Sequence, residues 1–253
     1  MVQHDPLFDI SGKRALITGA SSGLGRHFAH LLASRGASVV PAARRAEALD
    51  AVCRQIEAEG GEARSLVLDV ADGDAVRTAL KDEAFDIVVN NAGISRTGTL
   101  IDLAPEDWQS VMDVDLTAAF NVAQTAARTM RDNGKGGTII NVASILGKRV
   151  AGGVGAYTAA KAGLVQLTRA MALEWARFDI RVNALCPGYF STEINKDFFA
   201  SDHGQAMVKR IPMRRIGELS DLDGPLMLLA SDAGRFMTGT EIVADGGHLV
   251  SGL

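Results

Sequence analysis

The sequence predicts a single-domain α/β protein: a doubly wound parallel sheet of about seven strands with helices on both faces. Three observations predict it. Apolar runs of strand length alternate with segments of helical period, the pattern of successive βαβ units. The apolar runs mostly lack polar alternation, as strands covered on both faces do. Glycine is abundant, 27 residues against 6 prolines and without a repeat, which marks many tight turns and close backbone approaches. The whole chain, 1–253, fits one such domain.

In chain order the first strand is expected at 14–18, followed by a helix over 23–34 that stops at Gly36, a suitable C-terminal glycine. A strand at 38–42 leads to a helix at 46–59; Pro41 weakens a central strand and is expected near its end. A run at 65–68 precedes a helix at 72–81, and a run at 86–90 precedes one long helix at 105–131, with Pro105 suited to its first turn. The strand at 138–143 leads to a helix at 156–178. A strand at 181–185, a helix at 219–230 and a last strand at 241–244 complete the order. Right-handed crossovers between such strands put the ligand site beyond their carboxyl ends, where every motif below falls.

Composition excludes several classes. Hydrophobic residues make up 47% and charged residues 22%, so the chain carries enough apolar surface to fold. The net charge of −4 gives no general attraction to nucleic acid or anionic membranes. The polar start, with Asp5, predicts no signal peptide, and no stretch approaches the roughly 20 apolar residues of a membrane span. The two cysteines, Cys53 and Cys186, are too few for a disulfide scaffold, so a reduced, cytoplasmic location is expected. His27 and His30 share a helix face without accompanying ligands, and no metal site is expected.

The segment from Ile17 to Gly25 joins the first strand to the first helix. Gly19 permits a turn of positive φ, Gly23 lets backbone approach a pyrophosphate, and Gly25 lets the helix pack closely on the sheet. Ser21, Ser22 and Leu24 complete the loop, and the helix N-terminus supplies free N–H groups and a positive dipole end. The fold is therefore expected to be of Rossmann type.

The spacing of these glycines resembles the short-chain dehydrogenase/reductase family. The resemblance extends over nearly the whole chain, through Asn90-Asn91-Ala92-Gly93, Ser144, Tyr157 with Lys161, Pro187-Gly188 and Asp245-Gly246-Gly247, in the family's order and spacing. It implies an oxidoreductase that moves a hydride between a nicotinamide cofactor and a carbonyl or secondary alcohol.

In this fold the end of the second strand faces the adenosine ribose, where a carboxylate selects NAD. Here Ala43 stands in that place and Arg44 follows, and a guanidinium suits a 2′-phosphate, so NADP(H) is expected over NAD(H). Arg45 reads as the solvated start of the next helix. The resemblance places Asp69 and Val70 at the adenine, and Asn91, Ala92 and Gly93 where backbone passes the ribose, with Asn90 as a brace. Pro187, Gly188, Phe190 and Thr192 would wall the nicotinamide.

For the chemistry, Tyr157 and Lys161 stand four apart and share one helix face. A lysine cation one turn away stabilises the phenolate and lowers the pKa of a phenol that otherwise ionises near pH 10. The resemblance makes Tyr157 the proton donor and acceptor, Lys161 its modulator and a holder of the ribose, and Ser144 the group that positions the substrate oxygen. One position departs from the family. An asparagine usual in the helix after the fourth strand is replaced by Asp115, which accepts hydrogen bonds but donates none unless protonated. It is counted with the catalytic residues, with three outcomes open: a retained helix kink, a held proton or a weakened proton relay.

The least regular long stretch, 193–216, carries Phe198, Phe199, Met207 and Ile211 and suits a lid over the substrate. The loop after Ser144 is rich in glycine, and Lys148 and Arg149 in it suit an acidic substrate tail. The resemblance is nearest to 3-oxoacyl-thioester reductases, with sugar or polyol dehydrogenases as the alternative; a dinucleotide-binding regulatory protein without catalysis is the alternative of another class. Small residues along the helix at 156–178 suit close packing against a partner helix, and the resemblance implies a homotetramer.

Overall fold

The structure is a computed structural model and describes residues 6–192, 199 and 201–251. Eight strands form one sheet: β1 Arg14–Thr18, β2 Ser38–Ala43, β3 Glu62–Ala63, β4 Leu66–Val67, β5 Ile87–Asn90, β6 Gly137–Val142, β7 Ile180–Pro187 and β8 Glu241–Ala244. Their order is β3-β2-β1-β5-β6-β7-β8, with β4 also paired to β2. Every pairing is parallel. The chain runs outward from β1 to β3 and β4, then returns to β5 on the other side of β1. That reversal opens a crevice at the carboxyl ends of β1 and β5.

The helices are α1 Gly23–Ser34, α2 Ala46–Ala58, α3 Gly73–Leu80, α4 Pro105–Met112, α5 Ala118–Asp132, α6 Gly155–Trp175, α7 Asp202–Val208 and α8 Asp223–Ala230. They cover both faces of the sheet. Successive strand residues point to opposite faces, so Ile17, Val89 and Ile140 join one core cluster with Phe28, Leu32 and Leu226. Their neighbours Leu16, Val88 and Ile139 join the other, with Val122, Ala126 and Val182. Both faces being apolar explains why the strand runs show no alternation. Burying each large aliphatic side chain stabilises the fold by about 1.5–3 kcal/mol, and truncating the fully buried Phe28 to alanine would cost about 3–5 kcal/mol.

Three departures from expectation have physical causes. Pro41 lies inside β2, not near its end, and pairs with Ile17. On its other side β2 pairs with β3 at Ser38 and Val39 and with β4 at Ala42 and Ala43, so Pro41 falls where that ladder is interrupted. The expected strand at 65–68 is accordingly reduced to β4, Leu66–Val67, and a second short pairing, β3, precedes it at Glu62–Ala63. The expected helix at 105–131 is three segments: α4, a wide π turn at Asp113–Thr117, and α5. The π turn rotates Asp115 into the interior, where it is 1% exposed.

Candidate active site

At the end of β1, Gly19 and Gly23 adopt positive φ of 67° and 54°. The first turn of α1 carries no acidic side chain, and its N-cap Ser22 makes no side-chain cap bond, so the N–H groups there face the crevice unopposed by negative charge. A Cβ on Gly25 would stand 2.5 Å from the Gly19 carbonyl oxygen, so only glycine allows this helix start against this turn. A Cβ on Gly19 would stand 2.8 Å from Ala92 Cα, which shows how closely the loops after β1 and β5 approach. Asn91 ties them together: its N–H donates to Thr18 Oγ1 (3.0 Å) and its amide to the Thr18 carbonyl (2.9 Å). Asn90 braces the next layer, donating to Asn141 Oδ1 (2.9 Å) and to the Ala119 carbonyl (3.0 Å).

A cavity of about 510 Å³ runs from this loop past the end of β2, and Ser21, Arg44, Arg45, Asp69, Val70 and Gly93 line it. Arg45 is exposed and stands at the start of α2, as expected, but it does more than that. Its guanidinium donates to Ser21 Oγ (2.9 Å) and Ser22 Oγ (3.1 Å), so it is fastened to the glycine loop at the cavity wall. The arginine pair therefore supplies two cations where a carboxylate is absent. Asp69 accepts the Ala71 N–H (3.0 Å), a turn-capping bond that also fixes its carboxylate at the cavity.

An adjoining cavity of about 410 Å³, sharing Gly19, Ser22, Ala92 and Gly93 with the first, lies across the ends of β5, β6 and β7. It brings together Ser144, Tyr157 and Lys161, with Gly23, Leu24, Asn91, Pro187, Gly188, Phe190 and Thr192 also on its walls. Ser144 follows β6 with its hydroxyl accepting the Leu146 N–H (3.1 Å). Tyr157 and Lys161 project from the first turns of α6, the ammonium 5.5 Å from the phenol ring centroid. Lys161 is 3% exposed and donates to the Val142 carbonyl (3.0 Å). Its Nζ also stands 3.3 Å from Asp115 Oδ2. Burial pushes the Asp115 carboxyl above its usual range, against the opposing pull of the Lys161 cation and the Ile94 N–H.

Sequence reasoning missed Tyr189. Between Gly188 and Phe190, either aromatic ring could have turned inward. Phe190 is 5% exposed and packs where a Cβ on Gly217 would come within 2.4 Å of its ring, and both Tyr189 and Phe190 line the cavity that holds Tyr157 and the cavity beside it. The Tyr189 ring stacks at 5.4 Å on buried His248, whose carbonyl accepts a hydrogen bond from Arg149. Lys148, by contrast, is paired with Glu241, which also pairs with Arg169. The structure thus separates the two cations of the loop, turning Arg149 toward Tyr189 and Lys148 away.

His27 pairs with Asp223 (2.6 Å) and His30 with Glu59 (3.0 Å), and no group of three metal-ligating side chains occurs among the described residues. Cys53 and Cys186 are both buried and free, and burial pushes the Cys186 thiol up to about 11. Of the stretch expected as a lid, 193–198 and 200 lie outside the described residues. The remainder holds α7, with Phe199 and Ile211 buried. No helix among the described residues is long and apolar enough to cross a membrane.

A crevice between two nucleotide-sized cavities, a helix start open to phosphate and a serine, tyrosine and lysine at one end define a dinucleotide-binding oxidoreductase. The chain belongs to the short-chain dehydrogenase/reductase family. The family model described as enoyl-(acyl carrier protein) reductase matches residues 19–248. Gluconate 5-dehydrogenase of Gluconobacter oxydans is 39% identical over 99% of this chain and 100% of its own. The crystal structure of a gluconate 5-dehydrogenase from Burkholderia cenocepacia, in complex with NADP and tartrate, superposes with a TM-score of 0.93 at 38% identity, covering 98% of this chain and 99% of that one. A 3-oxoacyl-(acyl-carrier-protein) reductase of Thermotoga maritima is 35% identical over 95% of this chain and 99% of its own.

Proposed function

We propose that the protein is an NADP(H)-dependent dehydrogenase that interconverts a secondary alcohol and a ketone on a sugar acid or polyol. One observation carries the oxidoreductase chemistry: Ser144, Tyr157 and Lys161 converge on a single cavity that adjoins the nucleotide crevice. The expectation of an acyl-thioester substrate gives way to its alternative, because the gluconate 5-dehydrogenases named above are more similar to this chain than the acyl-carrier-protein reductase is. Tartrate in the Burkholderia structure, a polyhydroxy dicarboxylate, accords with this reading.

The cofactor, when bound, supplies or takes up the hydride. The chain's own residues do the rest. Ser144 Oγ donates to the substrate oxygen and holds it beside Tyr157. In reduction the Tyr157 hydroxyl gives its proton to the forming alkoxide; in oxidation the phenolate removes the proton of the alcohol. Lys161 stabilises the phenolate, and its buried position keeps that charge poorly screened. Arg44 and Arg45 receive the 2′-phosphate and favour NADP(H). Arg149, which donates to the carbonyl of the His248 that Tyr189 packs against, is the cation assigned to a substrate carboxylate. A homotetramer through the α6 face and the β8 edge, in a reducing cytoplasm, completes the proposal; Leu173 of α6 and Val243 of β8 are exposed apolar side chains on these surfaces.

The test is a panel of sugar acids, polyols, acyl thioesters and cyclic ketones with both reduced and both oxidised coenzymes, followed at the nicotinamide absorbance band. Turnover confined to sugar acids and polyols with the phosphorylated coenzyme is expected. Faster turnover of acyl thioesters would overturn the substrate class.

A further inference from the structure

We propose that Asp115 is a buried counter-ion of Lys161 that limits how strongly the lysine cation acidifies Tyr157. The inference rests on the role proposed for Tyr157 and concerns the one position where this chain departs from its family.

The geometry is closed on every side. Asp115 enters from the π turn with a side chain 0% exposed, against 4% for Lys161. Oδ1 accepts the Ile94 N–H at 2.7 Å. Oδ2 lies 3.3 Å from the Lys161 ammonium and, among the described residues, has no hydrogen-bond partner. A Cβ on Gly93 would come within 3.0 Å of Oδ2 and 3.5 Å of Nζ, so the glycine leaves room for the pair to meet. Both groups facing the carboxyl are donors. A proton on Oδ2 would point at an ammonium and find no acceptor, so the ionised carboxylate is the form this pocket satisfies. Burial opposes ionisation, and Lys161 and the Ile94 N–H favour it.

The charged surroundings are few. Lys161, from α6, is the only charged side chain acting on Asp115 among the described residues. Asp113 on the same turn is half-buried and accepts from Gln109. Neither Gly93 and Ile94, in the loop after β5, nor Val142, at the end of β6, brings a charge to the pair. Tyr157 is faced by Lys161 on its own helix and by Tyr189 from the loop after β7, which Arg149 influences in turn.

The consequence has a definite sign. An ammonium alone favours the phenolate. With an ionised carboxylate 3.3 Å from it the pair is nearly neutral, and the phenol holds its proton to higher pH. The site therefore keeps a proton to donate in reduction over a wider alkaline range, and oxidation, which needs the phenolate, begins at higher pH. Replacing Asp115 by a neutral residue exposes Tyr157 to the full cation and shifts its ionisation downward by about one pH unit, the scale of an opposite charge removed from a poorly screened neighbour.

The chain contains two tyrosines, which makes a direct test practical. In a Tyr189→Phe background, the ultraviolet rise of tyrosinate reports Tyr157 alone, with neither coenzyme nor substrate present. Asp115→Asn is expected to lower that midpoint by about one unit. In a Lys161→Met background the buried Asp115 loses the cation that favours its ionisation and takes up a proton, so the same substitution removes no charge and should not lower the midpoint. A midpoint unmoved by Asp115→Asn, or lowered equally without Lys161, would overturn the proposal. Should Asp115→Asn fail to fold, Asp115→Ser carries the same expectation. The readout is independent of turnover, so an error in the proposed substrate leaves it intact. Conversely, a shifted midpoint in a protein that turns over nothing would reject the proposed activity and keep the ion pair.

Discussion

The two halves of the crevice are built by different means. The nucleotide half, around the ends of β1 and β2, is shaped by backbone: Gly19 and Gly23 in left-handed conformation, Gly25 against the turn, and a helix start facing open space. The catalytic half, around β5 to β7, is shaped by side chains that meet from distant parts of the chain, Asp115 with Lys161 and Arg149 with the His248 carbonyl. Steric rules over a few residues govern the first. Charge and burial over long sequence separations govern the second. The first therefore tolerates almost no added atoms, whereas the second should respond to substitutions in graded steps.

The sharpest break of that contrast is Gly25→Leu. A side chain there collides with the Gly19 carbonyl, so loss of nucleotide binding is expected, with a large fall in melting temperature measured by calorimetry. Wild-type coenzyme affinity in this variant would show that the turn is more pliable than its geometry implies.

A graded response is expected next from the arginines. Arg44→Ala combined with Arg45→Ala should raise KM for NADPH about ten- to a hundredfold, the scale of lost charge-assisted bonds, and change KM for NADH little. Equal effects on the two coenzymes would remove the 2′-phosphate assignment. Arg149→Ala should raise KM about tenfold for a sugar acid and leave an uncharged polyol unchanged, as initial-rate kinetics on the two substrates would show. Lys148→Ala, whose partner is Glu241, should not make that distinction.

The smallest effect concerns Cys186. With its thiol pushed up to about 11, the thiolate becomes appreciable only as pH rises toward that value. Alkylation of the native protein at pH 8, followed by mass spectrometry, should leave Cys186 unmodified over hours; rapid labelling would mean that this strand opens readily.

The same contrast explains what the sequence made legible. β1, α1 and β8 have the bounds expected, because glycine and apolar runs act locally. The convergence of Ser144, Tyr157 and Lys161 on one cavity was legible through spacing on one strand end and one helix. The π turn was not legible from periodicity, since the segment 105–131 has helical period throughout; only the resemblance, through a helix kink at Asp115, pointed to it. The bonds of Arg45 to the glycine loop were not legible for a similar reason. Two neighbouring arginines are alike in sequence, and only the positions of Ser21 and Ser22 show what the second one holds. Tyr189 and the different partners of Lys148 and Arg149 depended on contacts with β8 and the C-terminal segment, which no local pattern encodes.

The most direct measurement is a rapid-mixing trace at the nicotinamide band, comparing the wild-type protein with Tyr157→Phe, each mixed with NADP⁺ and gluconate. The wild type should form the reduced coenzyme. The variant should bind NADP⁺ with unchanged affinity yet produce no reduced coenzyme on the same timescale. Hydride transfer at the wild-type rate without the phenol hydroxyl would contradict the assignment of Tyr157 as the group that exchanges the proton.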